Sequence, residues 1–290
     1  MPKKQPVYDN DSIYSLKGAE RVRKRPGVIF GSDGIEGCEH AFFEILSNSI
    51  DEARGGFGDH INITRYRDGS LEVEDFGRGI PVDFNTKENR YNWELLFCEM
   101  YAGGKYDAAS NYEYALGLNG LGLCATQYAS RWMKADVYRD GLHYHLDFER
   151  GENVGGLQKE PYKGRRTGTI IRWLPDREVF TDTAIPADYF TDAIKRQAVV
   201  NAGVVFHLTD ETQGESGSAE FCYQNGIADY VEELSGGEEL TPVVFRASEA
   251  ECRDRDDRPE YKVKMNAAFC FSNKRQGLEY YHNSSWLEHG

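Results

Sequence analysis

Between positions 39 and 53 the apolar and polar residues separate with a helical period. Phe42, Ile45, Leu46, Ile50 and Ala53 fill one face, while His40, Glu44, Asn48 and Asp51 form a stripe on the other, with Glu52 at its edge. No lysine or arginine interrupts that stripe. The pattern predicts a helix over 36–54 that buries one side and presents carboxylates, an amide and an imidazole from the other. Ile61 and Ile63 then alternate with polar neighbours, Asp68-Gly69 supplies a turn, and the alternation resumes through Leu71 and Val73, which reads as a hairpin. Further strands are expected over 135–138, 144–148, 167–173, 204–208 and near 262–271, with a second turn at Asp140-Gly141. Helices are expected over 15–25 (stopped at Pro26-Gly27), 93–101, 123–132, 189–201 and 227–234. Residues 103–122 hold five glycines and read as a long loop, a length usually reserved for lids and binding loops. Strands and helices do not alternate regularly. The expected class is therefore α+β, a largely antiparallel sheet with helices on one face.

Composition narrows the picture. The chain has 290 residues, of which 40% are hydrophobic and 13% aromatic, enough for roughly two cored domains. The Gly/Ser-rich stretch at 213–218 is the best candidate for a boundary between them. The formal charge of −14 argues against a simple DNA-gripping module, although Arg21, Arg23, Lys24 and Arg25 form one basic candidate patch. No apolar run approaches the roughly 20 residues of a membrane span, and the first residues lack a signal-peptide core. Six scattered cysteines without a C-x-x-C pair read as reduced thiols, and a cytoplasmic protein is expected.

No G-x-x-x-x-G-K-[ST] signature occurs, so the usual P-loop is excluded. Phosphates can still be held by successive backbone N–H groups in a glycine-rich turn, and residues 116–122 (Leu-Gly-Leu-Asn-Gly-Leu-Gly) offer such a turn. The order is a helix with Glu44-x-x-x-Asn48, then Asp75-x-Gly77-x-Gly79, then the glycine-rich loop, then Thr167-Gly168-Thr169. In that order the motifs resemble the GHKL ATPase superfamily. Arg23-Lys24-Arg25-Pro26-Gly27 and Ala102-Gly103-Gly104-Lys105 bring the resemblance closer to the ATPase subunit of bacterial type IIA topoisomerases. Gyrase and topoisomerase IV are not separated by these motifs. The runner-up readings are another GHKL ATPase, MutL-like or chaperone-like, and a nucleotide-binding module without turnover.

The resemblance implies a Bergerat-type α/β sandwich over 13–219, an N-terminal dimerisation arm over 1–12, and the beginning of a transducer domain over 220–290. It implies ATP and Mg²⁺ as cofactors. Glu44 would be the general base, with His40 orienting it, and Asn48 the Mg²⁺ ligand. Asp75 would read adenine beside Gly79, Ile80, Pro81 and Thr169, and Glu52 would pair with Arg78. Lys105 and residues Gly117, Leu118, Asn119, Gly120, Leu121, Gly122 and Leu123 would wrap the phosphates, and Tyr8 would reach the nucleotide of a partner subunit. Within this loop Leu116 and Asn119 depart from the common family pattern G-G-L-H-G-V-G. The implied partners are a second copy of the chain on ATP binding, a DNA-cleaving subunit of the gyrase A type (in a heterotetramer), and DNA, with no membrane. The resemblance also implies a fragment of a longer subunit, with little ATPase and no DNA cleavage of its own.

Overall fold

A computed structural model describes residues 10–103, 116, 120–212, 216–253, 255, 260–273, 276–282 and 284–289. A short 3-10 turn, Asn10–Ser12, leads into α1 (Ala19–Lys24) and α2 (Pro26–Phe30). The expected single helix over 15–25 is thus shorter, and Pro26 opens a second helix instead of ending the run. A proline at the first helical position loses no hydrogen bond, since that N–H would be unpaired in any case. Then come α3 (Ile35–Arg54), β1 (His60–Arg65), β2 (Leu71–Asp75), the two-residue strands β3 (Phe84–Asn85) and β4 (Arg90–Tyr91), α4 (Asn92–Cys98) and α5 (Gly122–Tyr128). The chain continues through β5 (Ser130–Arg139), β6 (Leu142–Glu149), β7 (Glu152–Pro161), β8 (Gly168–Pro175), α6 (Ala187–Val200), β9 (Val205–Asp210) and β10 (Gly217–Phe221). Residues beyond form α7 (Ile227–Ser235), a hairpin of β11 (Val244–Cys252) with β12 (Tyr261–Phe269), and a small hairpin of β13 (Tyr280–His282) with β14 (Ser285–Leu287).

Eight strands form one sheet in the order β10-β9-β1-β2-β8-β5-β6-β7. Every neighbouring pair is antiparallel except β1 with β9. The expected boundary at 219/220 falls inside β10, which pairs with β9, so the sheet extends to Phe221. The β5–β6 turn follows its Asp-Gly signal, with φ 53° at Asp140 and 74° at Gly141. The next turn, from β6 to β7, places φ > 0 at Arg150 as well as Gly151. Arginine gives no turn signal there, and β7 is a polar edge strand without alternation, so the sequence pattern does not reveal it. β11 is likewise unexpected, because it is exposed along both faces between its two end residues and has no apolar alternation.

Helices α3 and α6 lie on one face of this sheet. Phe42 of α3 is completely buried against Trp173 of β8, ring centroids 6.5 Å apart, and against Phe190 of α6 at 4.8 Å. Ile61, Ile63, Val73, Ile171, Ala135 and Leu146 complete the layer from the strands. Cys38 of α3, Cys98 of α4 and Cys124 of α5 are free thiols, and burial pushes them up to about 12, 11 and 12, so they pack as small hydrophobes. Arg23 of the expected basic patch is structural. It donates to Asp176 at 2.6 Å and to the Tyr128 carbonyl at 3.1 Å, while Lys24 pairs with Glu20 at 2.9 Å.

Phe42 fixes the side of α3 that faces the sheet, and therefore the side left for the polar stripe. Phe42→Ala should cost about 3–5 kcal/mol, the range for deleting a buried aromatic side chain. Equilibrium urea unfolding followed by circular dichroism measures it. A loss well under 1 kcal/mol would show that this contact does not hold α3.

Candidate functional site

The polar stripe of α3 lines a cleft of about 450 Å³ whose other walls come from β2, the 76–81 turn, β8 and the segment entering α5. Glu44, His40, Asn48, Glu52, Asp75, Arg78, Gly79, Ile80, Pro81, Gly120, Leu121, Gly122, Leu123 and Thr169 all border it. They come from distant parts of the chain, and the sheet and α3 bring them together. Tyr8, Lys105, Gly117, Leu118 and Asn119 lie outside the described residues.

Glu44 is held on two sides. His40, one turn earlier, places Nε2 3.1 Å from Glu44 Oε1, while its Nδ1 donates to the Phe30 carbonyl at 3.1 Å. The hydrogen bond to Glu44 raises the His40 pKa above its usual value, helped by the Phe30 carbonyl and opposed by burial. Both ring nitrogens face oxygen acceptors, so the charged imidazole satisfies both. On the other side, a Cβ at Gly122 would stand 1.9 Å from Glu44 Oε2. Only glycine lets the start of α5 come this close to the carboxylate.

Asn48 donates its Nδ2 to the Glu44 carbonyl at 2.9 Å. That bond commits the nitrogen to the helix and makes Oδ1 the atom with ligating capacity at the cleft. A single neutral carbonyl oxygen suits Mg²⁺, which draws most of its ligands from water and phosphate. The donor set therefore fits that ion. Asp51, on the same polar stripe, is 3% exposed, and its Oδ1 accepts the Leu116 N–H at 2.8 Å. It ties one end of the glycine-rich loop to α3, and Leu116 itself packs against the core.

Glu52 binds Arg78 in fork fashion, Oε1 accepting from Nη2 at 2.7 Å and Oε2 from Nε at 3.1 Å. The guanidinium also lies 3.6 Å from the Phe57 ring centre. This arrangement fixes the turn after β2 to the end of α3. Asp75 is the most enclosed carboxylate of the cleft. Its Oδ1 accepts the N–H groups of Gly77 at 3.0 Å and Thr169 at 3.2 Å, and its Oδ2 accepts the Ser49 hydroxyl at 3.1 Å. Burial pushes its carboxyl up to about 6, against the lowering effect of these three donors. Thr169 Oγ1 accepts the Ile80 N–H at 3.1 Å, joining β8 to the cleft wall. Gly168 permits that approach, since a Cβ there would be 2.1 Å from the Asp75 carbonyl.

Two contributors had not been expected. Ser49 sits among apolar positions of α3, and nothing in its spacing signals a hydrogen bond to a residue 26 positions away. Arg139 lines the cleft and donates to the Gly79 carbonyl at 2.7 Å; in sequence it is merely the residue before the Asp140-Gly141 turn.

No protein-family model matches the chain. The DNA gyrase B protein of Thermotoga maritima is 35% identical over 266 residues, 92% of this chain and 41% of that protein. The DNA topoisomerase IV B protein of Enterococcus faecalis is 36% identical over 240 residues, 82% of this chain and 35% of that protein. The chain thus spans less than half the length of these curated relatives. Among solved structures, the 43K ATPase domain of Thermus thermophilus gyrase B, crystallised with an aminocoumarin, superposes with a TM-score of 0.67 at 31% identity, covering 80% of this chain and 59% of that one. With both the sequence and the fold of that ATPase domain shared along most of its length, the chain belongs to the family of the gyrase B and topoisomerase IV B proteins.

Proposed function

We propose that the chain is the ATP-binding and hydrolysing module of a type IIA topoisomerase, whose Mg²⁺-ATP-driven dimerisation gates passage of a DNA segment. The observation that supports this most is the meeting of Asp75 and Glu44, from separate elements, in one cleft beside Asn48. Asp75 accepts a hydrogen bond from the exocyclic amine of adenine, and Ile80 and Pro81 form an apolar wall against the base. The glycine-rich segment, with Lys105, binds the phosphates. Asn48 Oδ1 would hold Mg²⁺, and the ion would supply neutralisation of phosphate charge. Glu44, oriented by His40, takes a proton from water as the water oxygen attacks the terminal phosphorus and the bond to ADP breaks. Tyr8 and the rest of the 1–12 arm reach the second copy of the chain. The further partners of the whole protein are DNA and a separate DNA-cleaving subunit.

Glu44→Ala should leave ATP binding within a few-fold and reduce turnover by roughly 10²–10⁴-fold, the usual worth of a general base. Calorimetric titration beside phosphate release, in a chain extended to the length of its curated relatives, separates the two. Turnover close to that of the parent would sink the assignment. The same pair of measurements on the unmodified protein decides between this reading and a binding module without turnover.

Asp75→Ala should weaken ATP binding by the equivalent of about 1–3 kcal/mol, because the adenine amine loses its acceptor in a desolvated pocket. The thermal shift on adding ATP should shrink accordingly. An unchanged shift would rule out Asp75 as the adenine reader.

The raised Asp75 pKa adds a pH dependence with a definite sign. The carboxyl is neutral below about 6 and charged above it, so ATP affinity should rise as pH increases through that value. In the empty protein the sign is opposite. A carboxyl raised above its unfolded value contributes stability at low pH that is lost as pH rises through about 6. Asp75→Asn should flatten this part of the affinity profile, leaving the titration of phosphate and His40 in place. An identical slope in parent and variant would contradict the prediction.

A further inference from the structure

We propose that Asp136, His143 and His145 form a binding site for a divalent transition-metal ion of the zinc and nickel class on the outer face of the sheet. None of the three borders the nucleotide cleft. In β6 the even positions 144, 146 and 148 are buried in the core, so 143, 145 and 147 share the opposite face. Register places His145 directly across from Asp136 of β5, and His143 across from Glu160 of β7. Three adjacent strands thus bring their polar residues to one point.

At that point Asp136 Oδ1 lies 2.7 Å from His143 Nε2 and 2.8 Å from His145 Nδ1. One ligand atom from each residue falls within 4.8 Å of the other two. Ligands about 2.0–2.1 Å from a tetrahedral ion are themselves roughly 3.3 Å apart, so the two short contacts need open by only about half an ångström. The outer nitrogen of each ring is already held. His143 Nδ1 meets Glu160 Oε1 at 3.1 Å, and His145 Nε2 meets Asp147 Oδ2 at 2.9 Å. This is the carboxylate–imidazole–metal arrangement that sets ring orientation and strengthens nitrogen as a ligand. The ring of Tyr138 stacks on His143 at 4.7 Å and limits its rotation.

Asp136, Asp147 and Glu160 also supply negative charge to offset a dication. The side chains of His143, His145 and Asp136 are 20%, 24% and 28% exposed, which leaves room for water as the remaining ligand. Two imidazoles and one carboxylate favour zinc, nickel or copper over magnesium. The ion would pin β5 to β6 and, through Glu160, orient the edge strand β7.

Zinc chloride titrated calorimetrically into the EDTA-treated, dialysed 290-residue chain should bind at one equivalent per chain through this site, with a rise in melting temperature. Cobalt chloride should give the visible absorption of a nitrogen-ligated, low-coordinate ion. His143→Gln and His145→Gln should each weaken binding at least tenfold, while Mg²⁺-ATP binding stays within a few-fold of the parent. Asp136→Asn preserves size and one acceptor, and serves the same purpose should a histidine variant unfold. Absence of both the zinc heat and the cobalt band would overturn the site. So would equal affinity and stoichiometry in the parent, in the His143→Gln/His145→Gln double variant and in Asp136→Asn, since the ion would then sit elsewhere.

Discussion

The buried carboxylate of Asp75 is the constraint on which the cleft depends. It accepts hydrogen bonds from Ser49 of α3, from Gly77 of the following turn and from the backbone of Thr169 in β8. A carboxylate taken out of water is costly unless its oxygens are satisfied, and here the satisfying donors come from three separate segments. Helix, turn and strand are therefore locked in the one arrangement that supplies them all. Gly168 makes the arrangement sterically possible, and the Glu52–Arg78 fork holds the far side of the same turn.

A second clamp, on Glu44, works through space rather than charge alone. His40 occupies one carboxylate oxygen and the first residue of α5 presses close to the other. Asp51 meanwhile grips the backbone of Leu116. Helix α3 thus touches both ends of the glycine-rich segment, at 116 and at 122.

The two faces of the sheet hold different chemistry for the same reason. Alternation along a strand sends apolar residues to the helices and polar residues outward, so the outer face of β5–β7 gathers histidines and carboxylates that have no role in the cleft. Asn48 offers oxygen to a hard cation, whereas His143 and His145 offer nitrogen to a softer one. The two sites would not compete for the same metal.

Much of this was readable from the chain alone, because period and turn chemistry are local. The 3.6-residue stripe of α3, the hairpin at Asp68-Gly69, the second at Asp140-Gly141 and the order of the glycine motifs each follow from neighbouring residues. The pairing of Glu52 with Arg78 was expected from the family motifs. The turn at Arg150-Gly151, the edge strand β7 and the placement of β10 in the main sheet depend on pairing with distant strands, and polar edge residues carry no period to reveal it. The helix opened by Pro26 was hidden for a related reason: proline ends a helix or begins one according to what precedes it. Within the site, sequence by itself determined which polar residues share one face of α3. Only the tertiary structure decided that Ser49 would reach Asp75, that Arg139 would reach Gly79, and that Asp51 would be buried. Those contacts join residues far apart in the chain, and burial and close approach are properties of the packed sheet and helices rather than of any local pattern.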